Sequence, residues 1–217
     1  MTFRQRAEQI GAKLQSALVK DWDGRQCILE MQREGSRNWK QMEWIGFYFE
    51  FLCQRVLAGL MDTPGPKYGK VRFDGLCDIP WDFKAHAINT SAHEVIVNDG
   101  EAIAGAIAEY GSVGLVLALG KVVYNDETRT FQAWHQQLKG GRSDYEVERI
   151  RRGAWSRLRK VSFALEQVSF IQITDTTLVK CGCFQSGFRN ADGSPRRGKV
   201  LIDLESIDEE TMHFVEF

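Results

Sequence analysis

The stretch Val71-Arg-Phe-Asp-Gly-Leu-Cys-Asp-Ile-Pro-Trp-Asp-Phe-Lys-Ala-His86 decides how this chain is read. Two runs, residues 70–76 and 79–88, are predicted to form the strands of a hairpin. Side chains alternate between faces along a strand, so Asp82 and Lys84 share one face. With the hairpin centred on Asp78, paired residues have numbers summing to 156, which sets Asp74 opposite Asp82 and Arg72 opposite Lys84. Partners on one face stand about 5 Å apart at Cβ, so two carboxylates and an ammonium converge. A slip of one residue would turn Asp74 to the other face.

Outward from the hairpin, residues 40–60 carry Trp44, Ile45, Phe47, Tyr48, Phe51, Leu52 and Val56, the pattern of a largely buried helix. Residues 3–20 repeat Ile10, Leu14, Leu18 and Val19 at helical spacing, and Pro64-Gly65-Pro66 breaks the chain before the hairpin. Beyond it, a helix is predicted over 100–110 and a strand buried on both faces over the apolar run 112–124. A helix over 128–138 follows, then the Gly140-Gly141 break and a basic helix over about 144–160. Strands are predicted at 161–173, 178–184 and 199–204, with a polar loop at 185–198. Strands alternating with helices indicate an α/β fold with a mixed central β-sheet flanked by helices. The 217 residues suit one domain, with a core at about 40–140 and a basic helix and hairpin at about 144–204.

Apolar residues make up 43% and charged residues 26% of the chain, ordinary for a globular protein. No apolar run reaches the roughly 20 residues that would span a bilayer, and residues 1–8 lack the apolar segment of a signal peptide, so a cytoplasmic protein without membrane contact is expected. The five cysteines are odd in number and scattered, which argues against a disulfide framework; Cys181 and Cys183 are expected to alternate along a strand. The net charge of −1 hides a segregation: residues 149–199 hold eleven Lys and Arg against three acids, and residues 200–217 hold six acids and no Lys or Arg. A local basic region can hold a polyanion whatever the average charge.

Two carboxylates as close as Asp74 and Asp82 repel unless a cation neutralises them, and oxygen ligands on a rigid hairpin are what Mg2+ prefers. An adjacent lysine suits hydrolysis of a phosphodiester, where it positions or deprotonates water and offsets phosphate charge. The hairpin resembles the PD-(D/E)xK nuclease superfamily, in particular type II restriction endonucleases, in which a first acid precedes an Asp/Glu-x-Lys triplet on the neighbouring strand. Here the triplet is Asp82-Phe83-Lys84 and the first acid is Asp74, or Asp78 given the short spacing and Phe73 in place of proline. The resemblance implies a restriction-endonuclease-like core, Mg2+ held by Asp74, Asp82 and the Phe83 carbonyl, and Lys84 serving the attacking water. It further implies an extra acid on the preceding helix, a position that Glu50 fits; a carboxylate in so apolar a helix needs a partner or an ion.

The expected substrate is double-stranded DNA. Arg151, Arg152, Ser156, Arg157 and Lys160 of the basic stretch can lie along phosphates. Gln185, Arg189, Asn190, Arg196 and Arg197 of the polar loop are the side-chain types that read base edges. Cutting both strands of a short palindrome calls for two sites, hence a homodimer. No glycine-rich loop for a nucleotide cofactor is present, His93, His135 and His213 show no metal-ligand spacing among themselves, and His86, on the strand face of Lys84, is read as packing rather than catalytic. A nuclease of repair or recombination that recognises DNA structure, and a DNA-binding module without catalysis, remain open on the sequence alone.

Overall fold

The computed structural model describes residues 1–63, 73–125, 127–142, 144–153, 158–185, 187, 197–208 and 211–217. Its centre is β5 (Val113–Tyr124), whose first six residues are all buried, as an uninterrupted apolar run requires. β3 (Pro80–Ala87) runs parallel to β5, and β6 (Lys160–Ile173) pairs with the other edge of β5 antiparallel. β1 (Asp21–Asp23), β2 (Gly75–Leu76) and β9 (Met212–Glu216) complete a six-stranded mixed sheet, in the order β1-β6-β5-β3-β2 with β9 on β6. A second antiparallel sheet has the order β4 (Glu94–Asp99), β8 (Lys199–Asp203), β7 (Gly182–Gln185).

Period-two alternation along β5 divides the core. Val116, Ala118 and Val122 face one cluster, formed with α1 (Phe3–Ala17), α2 (Gly24–Arg33) and α3 (Trp44–Val56). Val113, Leu115 and Leu117 face another, formed with α4 (Gly100–Tyr110), β4 and β8. The predicted α/β architecture, a mixed sheet with helices on its flanks, is therefore the observed one. α5 (Thr130–Leu138) and α6 (Asp144–Arg151) lie between β5 and β6 in the chain, and α7 (Asp175–Cys181) precedes β7. Among the described residues no helix is long and apolar enough to cross a membrane.

Several elements differ from expectation. The basic helix ends at Arg151, because Gly153 takes a left-handed φ of 69°, and Lys160 opens β6 instead. Residues 178–181, predicted as strand, are helical: Thr174 and Thr177 form a reciprocal cap, each side chain taking the other's backbone N–H, and this starts α7. Cys181 therefore ends a helix, buried, and only Cys183 lies on a strand, exposed. β1, α2, β4 and β9 were not predicted. β4 and β9 find their pairing partners far along the chain, at β8 and β6.

Candidate active site

The hairpin register is the expected one, Gly75 opposite Trp81 and Leu76 opposite Pro80. Continued by one pair, it sets Asp74 opposite Asp82, and the Asp74 amide donates to the Trp81 carbonyl at 3.0 Å. Two glycines permit this geometry. A Cβ on Gly75 would meet the Met61 sulfur, and one on Gly114 would meet the Trp81 ring, which packs flat against β5 there. Trp81, Phe83 and Ala87 of β3 enter the helical core. Asp82 and Lys84 take the opposite face, in register with Leu115 and Leu117.

Lys84 is the hub of the cluster. Its Nζ lies 3.4 Å from Asp82 Oδ2 and 3.6 Å from Asp74 Oδ2, and donates to the Phe83 carbonyl at 3.4 Å. Asp74 Oδ2 also accepts from the Phe83 amide at 2.8 Å, which pins the carboxylate. Asp82 is 2% exposed, and its Oδ2 accepts from Asn98 Nδ2 on β4 at 3.2 Å. Glu50, on α3, accepts from Gln54 at 3.0 Å and lines a cleft of about 450 Å³ together with Phe47, Lys84, His86, Ile96 and Lys160.

The electrostatics follow from crowding. Burial, and then the charge of Asp74, push the Asp82 carboxyl up to about 7 against the pull of Lys84. Burial, Asp74 and Asp82 push Glu50 up to about 7 in the same way. Burial works against a charged Lys84, but Asp82, Asp74 and Glu50 together outweigh it and raise its pKa. Among the described residues, three carboxylates share the Lys84 ammonium. Asp74, Asp82 and the Phe83 carbonyl form a set of hard oxygen donors that fits Mg2+, with Glu50 as a further carboxylate.

The alternative first acid is differently engaged. Asp78 sits at the hairpin tip, half exposed, with its carboxylate held by the Arg6 guanidinium of α1; that hydrogen bond keeps its pKa low. His86 Nε2 meets the Ala92 carbonyl at 2.8 Å, an anchoring contact. His93 lies with Asp203 and Glu205 on the surface, but Asp203 already accepts from the Glu205 amide and the Ser206 hydroxyl as the cap of a short 3-10 turn.

The expected DNA-contacting residues separate into groups. Arg151 and Arg152 are exposed and paired with Glu148. Lys160 leaves them for the cleft of Lys84 and Glu50, where it lies 3.3 Å from Glu43. Gln185 ends β7 opposite Lys199, and Arg197, 69% exposed, stands 3.9 Å from both Asp99 and Glu101. Arg72, Ser156, Arg157, Arg189, Asn190 and Arg196 lie outside the described residues. Asn98 was missed because β4 was missed; the alternation of Val95 and Val97 was its one local signal.

No family model and no curated protein sequence matches the chain. Among solved structures it is similar to the restriction endonuclease BglI bound to its DNA recognition sequence, with 9% identity, 99% of this chain and 85% of that chain covered, and a TM-score of 0.39. A likeness so slight says nothing of activity.

Proposed function

We propose that this chain is a single-domain, Mg2+-dependent endonuclease that hydrolyses DNA phosphodiester bonds, and specifically a type II restriction endonuclease acting as a homodimer on a short palindrome. The observation that carries the reading is the Lys84 ammonium within 3.6 Å of two carboxylates, beside a cleft of about 450 Å³. Asp74, Asp82 and the Phe83 carbonyl would hold the metal. A bound Mg2+ supplies Lewis acidity, which acidifies water and offsets charge on the phosphate.

The chain's own residues supply the rest. Lys84, beside Asp74 and Asp82, is placed to position or deprotonate the attacking water and to offset charge on a phosphate oxygen. Glu50 adds a third carboxylate facing the same cleft. Lys160, at the cleft wall, is suited to a phosphate of the incoming strand, and Arg151 and Arg152 to the duplex beyond it. Gln185 and Arg197 flank the segment whose composition suits base reading.

The test is incubation of the purified chain with long genomic DNA at low salt, in Mg2+ or EDTA, beside Lys84→Ala. Discrete Mg2+-dependent fragments from wild type and none from the variant support a site-specific endonuclease. Cleavage confined to branched or damaged DNA moves the reading to a repair nuclease. DNA that shifts on a gel but stays intact in Mg2+ and Mn2+ sinks the catalytic reading in favour of a binding module.

A further inference from the structure

We infer that Asn98 is a positioning residue for Asp82, and that it is itself held, through Asp99, by the base of the β7–β8 hairpin. The inference rests on reading Asp82 as a metal ligand. Asn98 Nδ2 donates to Asp82 Oδ2 at 3.2 Å, the same oxygen that faces Lys84 at 3.4 Å. The amide orientation is decided locally: Asn98 Oδ1 accepts from the Asp99 amide at 2.8 Å, which leaves Nδ2 to face the carboxylate. Turned over, the group would set an oxygen against an oxygen. With two donors on Oδ2, the Asp82 side chain is fixed in rotation and its carboxylate direction is set before any cation arrives.

Asp99 is the second half of the device. It occupies the N-cap position of α4, where an aspartate ordinarily accepts from the helix's own first-turn amides, yet its side chain makes no such bond. Its Oδ1 accepts from Lys199 Nζ of β8 at 2.5 Å, and its Oδ2 lies 3.9 Å from Arg197. The backbone doubles this tie, since the Gly100 amide donates to the Gly198 carbonyl at 3.1 Å. A continuous path thus runs from the foot of the hairpin through Lys199, Asp99 and Asn98 to the buried Asp82 carboxylate. Arg197 is drawn to Asp99 and Glu101 only weakly, at 3.9 Å and largely exposed, so a phosphate can compete for it while Lys199 keeps the tether.

The experiment measures Mn2+ binding to the full chain by calorimetry for wild type, Asn98→Ala, Lys199→Ala, Lys199→Arg and the double Asn98→Ala/Lys199→Ala variant, each checked for folding by thermal melting. Asn98→Ala is expected to weaken Mn2+ binding by about tenfold, the scale of losing a hydrogen bond that orients a metal ligand. Lys199→Ala is expected to weaken it less, Lys199→Arg to restore it, and Lys199→Ala to cost nothing further once Asn98 is gone. Wild-type affinity in Asn98→Ala, an undiminished Lys199→Ala loss in the double variant, or lower melting temperatures with unchanged Mn2+ affinity would each overturn the inference. So would a wild type that binds no Mn2+. A wild type that binds Mn2+ but cuts no DNA removes the nuclease reading alone and leaves the role of Asn98 standing.

Discussion

Replacing Asp82 by asparagine should stabilise the metal-free protein at pH 8. In the folded chain the Asp82 carboxyl is pushed up to about 7 by burial and by Asp74, from the ordinary value of 3.8. The folded state therefore binds the proton more tightly than the unfolded state, so stability is full below about pH 4, falls as pH rises, and bears the whole cost above pH 7. Three pKa units at about 1.36 kcal/mol each amount to about 4 kcal/mol. Asparagine removes that cost, in which the pull of Lys84 on the ionised form is already included, and Asp74 at 3.6 Å remains as the lysine's partner. The gain at pH 8 is therefore about 4 kcal/mol, or roughly 10 °C for a chain of this size. The assay is thermal melting followed by circular dichroism, in EDTA, from pH 5 to pH 8. A variant that melts no higher than wild type at pH 8, or whose advantage does not shrink towards pH 5, would refute the assignment of the buried charge. The same substitution should abolish the stabilisation that Mg2+ gives wild type, because the cation and the asparagine relieve the same strain of charge.

Three further outcomes are expected. Asp78→Asn should leave DNA cleavage in Mg2+ at the wild-type rate, since its carboxylate serves Arg6, whereas Asp74→Asn should lower it by at least about a hundredfold; a loss in Asp78→Asn with none in Asp74→Asn would reverse the choice of first acid. Gly114→Ala should cost about 1–3 kcal/mol in a urea melt, because its methyl group would enter the Trp81 ring; an unchanged midpoint would mean that the hairpin packs otherwise. Lys160→Ala should weaken DNA binding and lower the slope of log affinity against log salt by about one, measured without Mg2+; an unchanged slope would take Lys160 off the phosphate path.

Locally coded features were legible in the amino-acid sequence. The apolar run of β5, the helix of residues 44–56, the α4 span and the hairpin around Asp78 each announce themselves within a dozen residues. The approach of Asp74, Asp82 and Lys84 is equally local, because a two-residue period and a tight turn suffice to bring them together. What buries that cluster is not local. Asp82 is covered by β4, whose partner β8 lies about a hundred residues later, and Asn98 reaches the site only through that pairing. Lys160 belonged by composition to a basic helix, yet the left-handed Gly153 ends that helix and β6 carries the lysine to the cleft wall. Periodicity and turn chemistry act over a few residues and can be read from the chain; burial and the pKa values it shifts depend on which distant strands close over a side chain, and the tertiary structure alone decides that.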